Sequence, residues 1–360
     1  MKRVLFITRK WPPAVGGMET YSVELSRELA LLCELTVLKL PGRRDGRPPS
    51  LAALSCFTLR SMAAIAVGRR FEVIHVGDLV LWPLAVVSRL FQRSADLAIA
   101  AHGTDIGFTR RDGVLPAIYR WYLTLGVRLC PGKMKVIANS RHTAEWCRTW
   151  GFTNVSAVPL GVSVSSEDDP ASLEIEPHVL FVGRLATRKG CGWFVENVLP
   201  LLPEGVNMMV VGPKWDDCEW HSICRNARVV YAGVIISRSA LRRLRRSALA
   251  VVVPNIPTGQ DFEGFGLTAL EVAADGGVLL ASGIEGIVDA VVDGETGFLL
   301  PALDAKAWAA KISEVSQWTY ERRREFIQRA QGIVMSRFSW TRVAQSTLEL
   351  CRDFATGGHG

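Results

Sequence analysis

The chain has 360 residues, which is long enough for two domains of ordinary size, each with its own core. Hydrophobic residues make up 49% of it, which excludes disorder over the whole chain, and no apolar run reaches the roughly 18 residues of a membrane-spanning helix. The eight cysteines show no CxxC pairing. This pattern predicts reduced thiols in a cytoplasmic protein rather than a disulfide framework.

Charge is distributed unevenly between the two halves. Residues 1–165 hold 22 Lys and Arg against 11 Asp and Glu, a net charge of +11, whereas the remainder carries −4. Such an asymmetry favours a phosphorylated or membrane-surface partner for the first half. The alternative is a set of scattered, solvated arginines.

Strands alternate with helices in the first half, which predicts a parallel α/β domain. The strands are expected at 4–7, 35–40, 71–76, 97–101, 134–138 and 155–161. Gly16 and Gly17 lie at the first strand-to-helix junction, where exposed amides suit an anion, although glycine is common in such turns. His102 follows the fourth strand, at the edge where open α/β sheets bind ligands. A lone histidine is more often structural.

The pattern restarts after an acidic segment, 163–177, which we interpret as the interdomain linker. Strands are predicted at 179–182, 207–211, 229–231, 248–253 and 277–281, and helices at 308–338 and from 340 onward. Arg184 and Lys189 leave the first of these strands on a glycine-flanked loop. They are either two solvated cations or the groups that neutralise a diphosphate.

The segment 261–271 joins a buried strand to a helix that starts near Leu267 or Thr268. Its glycines let a ligand approach the backbone, and the free N–H groups of the helix N-terminus suit a phosphate. Glu263 in the loop and Glu271 in the helix could reach hydroxyls of one ligand, which suits a sugar nucleotide. The alternative is that Thr268 and Glu271 form a capping box and that Glu263 is solvated.

No Asp-x-Asp occurs in the sequence, so the usual carboxylate pair for a divalent ion is missing and we expect no metal. Cys218, His221 and Cys224 are close in sequence, but a fourth ligand is not evident.

Taken in order, these motifs resemble those of the retaining GT-B glycosyltransferases, specifically the large group 1 family of bacterial cell-surface and glycolipid assembly. The segments that carry the resemblance are 16–19, 72–75, 102–105, 139–140, 158–162, 181–185, 189–190, 231–234, Glu263 with Glu271, 294–298 and 338–340. Three positions depart from the family pattern and leave donor selectivity open: Gly77 in place of a histidine, Asp289 in place of a glutamate, and Asp275 in place of Ala or Cys.

The resemblance implies two facing Rossmann-like domains with parallel sheets. Residues 1–165 with 340–360 would bind the acceptor, residues 166–339 would bind the donor, and the last helix would cross back to the first domain. The donor would be a UDP- or GDP-sugar, and the acceptor a lipid-linked or oligosaccharide molecule, with no cofactor and no nucleic acid. The implied reaction is transfer of a hexose with retention, in polysaccharide, lipopolysaccharide or glycolipid synthesis, by a cytoplasmic or peripheral membrane protein.

The resemblance also implies roles for individual residues. The catalytic set would be His102, Arg184, Lys189 and Glu263, with His102 against the transferred sugar and Glu263 on its hydroxyls. Arg184 and Lys189 would hold the diphosphate, and Glu271 the ribose. The other donor-binding residues would be Gly16, Gly17, Val234, Gly264, Phe265, Gly266, Leu267 and Thr268. A catalytically silent donor-binding subunit and a phosphorylase of the same architecture are the alternatives.

Two segments of the first half mix apolar and basic residues and could meet an anionic membrane. The segment 79–93 has the pattern of a core helix and needs no membrane. The segment 114–128 interleaves Tyr119, Trp121 and Tyr122 with Arg120 and Arg128, a mixture that suits a lipid headgroup boundary.

Overall fold

The computed structural model describes residues 2–43, 49–130, 134–163 and 174–352. The chain divides into two compact units, an N-terminal unit of Met1–Gly161 with Trp340–Gly360 and a C-terminal unit of Val162–Ser339. Most of the predicted linker, the predicted boundary at residues 165 and 166, residues 44–48 and residues 353–360 lie outside the described residues.

The N-terminal unit contains a six-stranded parallel sheet in the order β2-β1-β3-β4-β5-β6. Its elements are β1 (Arg3–Thr8), α1 (Gly17–Leu32), β2 (Glu34–Lys39), α2 (Leu51–Val67), β3 (Val73–Val76), α3 (Trp82–Phe91), β4 (Asp96–Ala101), α4 (Gly103–Gly107), α5 (Val114–Leu129), β5 (Lys135–Ala138), α6 (Arg141–Thr149) and β6 (Val155–Ala157). Val4 to Ile7 in β1 are each at most 1% exposed. A strand buried on both faces is typical of a parallel sheet with helices on each side.

The C-terminal unit contains a second six-stranded parallel sheet, in the order β12-β11-β10-β7-β8-β9. Its elements are β7 (Glu176–Val182), α7 (Cys191–Asn197), β8 (Asn207–Val211), α8 (Asp217–Cys224), β9 (Val229–Tyr231), α9 (Arg238–Ser247), β10 (Ala248–Val253), α10 (Leu267–Asp275), β11 (Leu279–Ser282), α11 (Ile287–Ala290), β12 (Phe298–Leu300), α12 (Ala305–Ser316) and α13 (Tyr320–Arg337). Its core is built on β7, β8 and β10 and includes Phe181, Phe194 and the fully buried Trp308.

The order of the strands determines where a ligand can bind. In the C-terminal unit the chain leaves β7 toward β8 and β9 on one side, and returns to add β10 on the other. The loops after β7 and β10 therefore leave adjacent strands toward opposite sides of the sheet. The crevice between these two loops is where doubly wound sheets bind ligands. In the N-terminal unit the equivalent crevice lies between β1 and β3.

The last helix, α14 (Trp340–Arg352), belongs to the N-terminal unit and packs against α1. Thr341 Oγ1 donates a hydrogen bond of 2.8 Å to Glu28 Oε2 on α1. Gly161 allows close packing there, because a Cβ at this position would lie 2.7 Å from the backbone nitrogen of Trp340.

The predicted fold class is confirmed by the two six-stranded parallel sheets. Strands β8, β9 and β10 have the predicted bounds, but the strand predicted at 155–161 ends at Ala157, before Pro159, which has no N–H to donate. The region 308–338 is two helices, α12 and α13. Helix α2 and strand β12 were not predicted. Among the described helices, none combines the length and apolarity needed to cross a membrane.

Two helical glycines provide a matched test of the packing. A Cβ at Gly126 in α5 would lie 2.9 Å from the ring of buried Trp82, whereas a Cβ at Gly332 in α13 would meet nothing within 4 Å. We expect Gly126→Ala to destabilise the protein by about 1–3 kcal/mol through overpacking. We expect Gly332→Ala to stabilise it by about 0.5–1 kcal/mol, because alanine has the higher helix propensity. Thermal unfolding of both variants measures this, and a stability gain from both would show that α5 does not pack on Trp82 as described.

Candidate active site

The loop after β7 is fastened to the loop after β10. Its 3-10 turn, Thr187–Lys189, ends at Gly190 with φ of 66°, a left-handed conformation that favours glycine. A Cβ at Gly190 would lie only 2.0 Å from the Pro254 carbonyl oxygen. The Ile256 amide donates a hydrogen bond of 3.0 Å to the Arg188 carbonyl. The two loops are therefore held at a fixed separation.

Glu263 is the centre of a cluster of side chains from both loops. Arg188 Nη1 donates to Glu263 Oε2 at 2.6 Å, Asn255 Nδ2 donates to the same oxygen at 3.1 Å, and the Lys189 ammonium also contacts it. Arg188 also pairs with Asp261, at 3.2 Å from Nε to Oδ2. The Glu263 side chain is 14% exposed, so the predicted alternative of a solvated loop residue is wrong.

Electrostatics keeps this carboxylate ionised. Burial alone would raise the pKa of Glu263, but Lys189 and Arg188 outweigh it and hold the pKa well below its usual range. Burial lowers the pKa of Lys189, and the attraction of Glu263 opposes that effect. Because Arg188 also pairs with Asp261, the two cations of the cluster are balanced by two carboxylates, and an incoming anion would compete with Glu263 for Lys189.

The segment from Glu263 to the start of α10 is braced by the loop after β11. The Glu263 amide donates to Glu285 Oε2 at 2.6 Å, and the Gly286 amide donates to the Glu263 carbonyl at 3.1 Å. Phe265 is buried, and Gly266 has φ of 88°, a left-handed conformation. The backbone of 264–266 thus leads into α10 in one defined conformation, as a phosphate site at a helix N-terminus requires.

The capping-box alternative is wrong. Helix α10 begins at Leu267 with Gly266 as its N-cap, which makes no side-chain cap, so Thr268 lies inside the first turn. Glu271 Oε2 instead accepts a hydrogen bond of 2.6 Å from Arg245 Nη2 on α9. The Glu271 side chain remains 34% exposed.

Two further predicted donor residues lie at the same edge of the sheet. The Arg184 guanidinium stacks over the ring of Trp215 at 5.0 Å, and Trp215 is 63% exposed. Val234 follows β9 and is 59% exposed. The structure therefore brings Lys189 and Glu263 into contact and places Arg184 and Val234 on neighbouring loops, while their roles with a donor remain predictions.

In the N-terminal unit, His102 is buried at the carboxyl end of β4. Its Nε2 donates to the Gly77 carbonyl at 3.1 Å, and its ring meets Tyr21 edge-on at 4.8 Å. Asp105 accepts from the His102 amide at 2.8 Å and from the Leu79 amide at 3.1 Å, which joins the loops after β3 and β4. Burial lowers the pKa of His102 to about 4, although Asp78 opposes the shift.

Gly16 and Gly17 form the start of α1. Gly16 is the N-cap in an extended conformation, and Gly17 is the first helical residue. A Cβ at Gly16 would lie 2.6 Å from Glu19 Oε2, and the Glu19 carboxylate lies 3.5 Å from Lys10 Nζ. The predicted contact of these amides with phosphate remains a prediction.

Sequence reasoning assigned no role to Arg188, Asn255 or Arg245. Arg188 adjoins Lys189, so its position on the same short loop was the available signal. Asn255 follows Pro254 at the end of β10, again at the ligand edge. Arg245 lies among several arginines of α9, and nothing in the local sequence distinguishes it.

Each unit matches a known family model. Residues 15–166 match the model described as Glycosyltransferase Family 4, and residues 176–317 match the model described as Glycosyl transferases group 1. The chain therefore carries the two domains of a GT-B glycosyltransferase. The predicted enzyme class is confirmed at this level.

Individual relatives agree with this assignment. Alpha-maltose-1-phosphate synthase of Mycolicibacterium smegmatis is 24% identical to this glycosyltransferase over 402 residues, covering 97% of this chain and 99% of the relative. Glycogen synthase of Mycobacterium tuberculosis is 30% identical over 184 residues, covering 48% of this chain and 41% of the relative.

Solved structures share the fold. HepE of Anabaena, in complex with UDP and glucose, has a TM-score of 0.71 at 18% identity, covering 99% of this chain and 100% of that one. Sucrose-phosphate synthase of Thermosynechococcus elongatus has a TM-score of 0.75 at 19% identity, with the same two coverages. At these identities the likeness establishes the fold alone.

The buried environment of His102 predicts an unusual titration. Because burial lowers its pKa to about 4, the imidazole should stay neutral through physiological pH and gain its proton only near pH 4. The unfolded chain would take up this proton near pH 6.5, so the contribution of His102 to stability falls as the pH drops between these values. Imidazole NMR, with the signal assigned by a His102→Gln variant, measures the midpoint. A midpoint near 6.5 would contradict the described burial.

Proposed function

We propose that this glycosyltransferase moves a hexose from a UDP- or GDP-sugar to a lipid-linked or polysaccharide acceptor, with retention of anomeric configuration and without a metal ion. The observation that carries the proposal is the cluster around Glu263, with its two cations, beside the N-terminus of α10 at the ligand edge of the sheet. The structural neighbour HepE is described in complex with UDP and with UDP-glucose, which supports a sugar nucleotide as donor.

The geometry of Glu263 suits recognition of a sugar. All three side-chain donors bind Oε2, and among the described residues no donor to Oε1 is found. A carboxylate held at one oxygen can accept hydrogen bonds from ligand hydroxyls at the other. We therefore assign Oε1 to hydroxyls of the donor hexose.

The diphosphate would lie on the cationic side of this cluster. Lys189 and Arg184 would neutralise it, and the amides of 264–268 would donate to its oxygens. In the reaction, the bond from the sugar C1 to the diphosphate oxygen breaks and the acceptor oxygen bonds to C1 on the same face. The acceptor proton passes to the leaving phosphate. Charge builds on that phosphate in the transition state, where the two cations act most strongly.

Removal of either cation tests this assignment. We expect Arg184→Ala and Lys189→Ala to lower kcat by about 10²-fold or more, with smaller effects on KM. Arg322→Ala is a matched control, because Arg322 also stacks on a tryptophan, Trp318, at 4.7 Å, and Lys311→Ala is the control for lysine. Both controls should retain the parental kcat.

The same assays address the other parts of the proposal. Activity should survive EDTA, and loss of activity restored by Mg²⁺ or Mn²⁺ would contradict the metal-free mechanism. A silent donor-binding subunit would bind the donor without transfer or hydrolysis. A phosphorylase would require free phosphate, so omission of phosphate separates it from a transferase.

We further propose that the N-terminal unit docks on the anionic inner face of the cytoplasmic membrane to reach a lipid-linked acceptor. Helix α5 supports this, because it buries Pro116, Leu123 and Gly126 and exposes an apolar stripe on its other side. The exposed residues are Val114 (75%), Leu115 (70%), Ile118 (54%), Trp121 (66%) and Leu129 (54%). Arg128 lies next to the end of the stripe. The sequence prediction is wrong for Tyr119, Tyr122 and Arg120, which turn inward: Tyr119 packs on Phe108, Tyr122 donates to the Val80 carbonyl and Arg120 donates to the Thr109 carbonyl. Trp121 and Arg128 are exposed as predicted. By contrast, α3 buries Trp82, Leu84 and Ala85, as expected of a core helix, and exposes Leu90 and Phe91 at its C-terminal end.

Vesicle sedimentation tests the docking. We expect binding to grow with the anionic lipid content and to weaken with salt, because each basic residue contributes only about 1 kcal/mol. An Ile118→Ser/Trp121→Ser variant should bind at least about tenfold more weakly. Val67→Ser, which replaces an exposed apolar residue of α2, is the control and should bind as the parent does. Equal binding to neutral and anionic vesicles, or none at low salt, would contradict the docking.

A further inference from the structure

Arg245 is a buried charge with two partners on one helix. It lies in α9 and is 5% exposed. Its Nη2 donates to Glu271 Oε2 at 2.6 Å and its Nη1 donates to Asp275 Oδ2 at 2.6 Å. Burial alone would lower the pKa of Arg245, but Glu271 and Asp275 outweigh it and raise the pKa. A buried guanidinium requires such pairing, because an unpaired buried charge is strongly destabilising.

The two carboxylates are placed so that one planar guanidinium group can bind both. Glu271 and Asp275 are four residues apart on α10 and so lie on the same face of that helix. One guanidinium can bond both at once, which fixes its own orientation as well as theirs. Asp275, with a side chain 16% exposed, anchors the fork, whereas Glu271 remains 34% exposed at the other end.

Glu271 is therefore held by a single oxygen. Arg245 binds Oε2, and within the described ranges no donor to Oε1 is found. The free oxygen belongs to a carboxylate whose rotamer is already selected. Fixing a side chain before the ligand arrives reduces the entropy lost on binding.

We propose that Arg245 is a positioning residue that orients Glu271 toward the ribose of the donor and so determines the affinity for the nucleoside part. This inference rests on the proposed function, in which Glu271 binds the ribose hydroxyls. It assigns Arg245 no contact with the ligand and no part in the chemical step.

The proposal also gives Asp275 a role. Without a second partner, the Arg245 fork would be free to turn about its bond to Glu271. Asp275 removes that freedom, and Arg242 lies near the same carboxylate, with Nε 3.6 Å from Oδ1. Arg245 and Asp275 thus act together to hold Glu271.

The test measures recognition of ribose directly. Calorimetry compares the nucleoside diphosphate that binds best, UDP or GDP, with its 2′,3′-dideoxy form, for the full chain and its variants. Charged hydrogen bonds to two hydroxyls should give the parent a preference of about tenfold or more for the ribose form. Glu271→Gln should lose most of this preference.

The decisive variant is Arg245→Leu/Asp275→Ala, which removes one positive and one negative charge and leaves Glu271 without its partner. We expect weaker binding of the ribose form, unchanged binding of the dideoxy form, and a preference that falls to about threefold or less. Single Asp275→Ala keeps the Arg245–Glu271 bond but removes the second partner of Arg245, so its ribose preference should lie between those of the parent and the double variant. In turnover, the double variant should raise KM for the donor and leave kcat near the parental value.

The outcomes separate the two proposals. A parent that binds nucleoside diphosphates with a ribose preference, alongside a double variant with the same preference, would overturn the role of Arg245 and leave the proposed function standing. A parent protein that binds the ribose and dideoxy forms equally would also overturn the role of Arg245. A parent that binds no nucleoside diphosphate would overturn both. A double variant that weakens both ligand forms equally would indicate a purely structural role and also contradict the inference.

Discussion

The pairing of Glu263 with Arg188 and Lys189 is the interaction on which the rest of the C-terminal site depends. A carboxylate that is 14% exposed must be compensated, and its partners come from the loop after β7, while Asn255 comes from the end of β10. The same pairing joins two loops that diverge at the switch point of the sheet. It therefore fixes these two loops relative to each other and places two cations at the crevice.

This arrangement would also keep Glu263 in position while a donor binds. If Lys189 turns toward a diphosphate, Arg188 and Asn255 remain on Glu263 Oε2 and keep the carboxylate in position. Asp261 holds Arg188 from its other side, through Nε at 3.2 Å. A similar principle applies to Glu271, where Arg245 takes one oxygen and leaves the other for a ligand. In both cases an arginine fixes the acid, so the proposed sugar nucleotide would need little reorganisation to bind.

Much of the fold could be predicted from the sequence, because buried parallel strands such as Ala248–Val253 are continuous apolar runs. The proximity of Lys189 and Glu263 was also foreseeable, since both follow strands of one sheet. The partners of the acids were not. Arg245 is 26 residues from Glu271 and on a different helix, so their contact depends on how α9 packs on α10. The capping box was a sound local pattern, but the N-cap is Gly266, two residues before Thr268. Glu271 pairs with Arg245 of another helix instead.

The most direct test of the account is whether Glu263 recognises the sugar. Calorimetry on the parent and on Glu263→Gln would compare a nucleoside diphosphate with the same nucleotide carrying a hexose, after thermal unfolding has shown that the variant is folded. We predict that the hexose improves the affinity of the parent by about tenfold and that Glu263→Gln loses this gain while its affinity for the nucleoside diphosphate changes little. An equal gain from the hexose in both proteins would contradict the assignment of Glu263, and with it the proposed orientation of the donor.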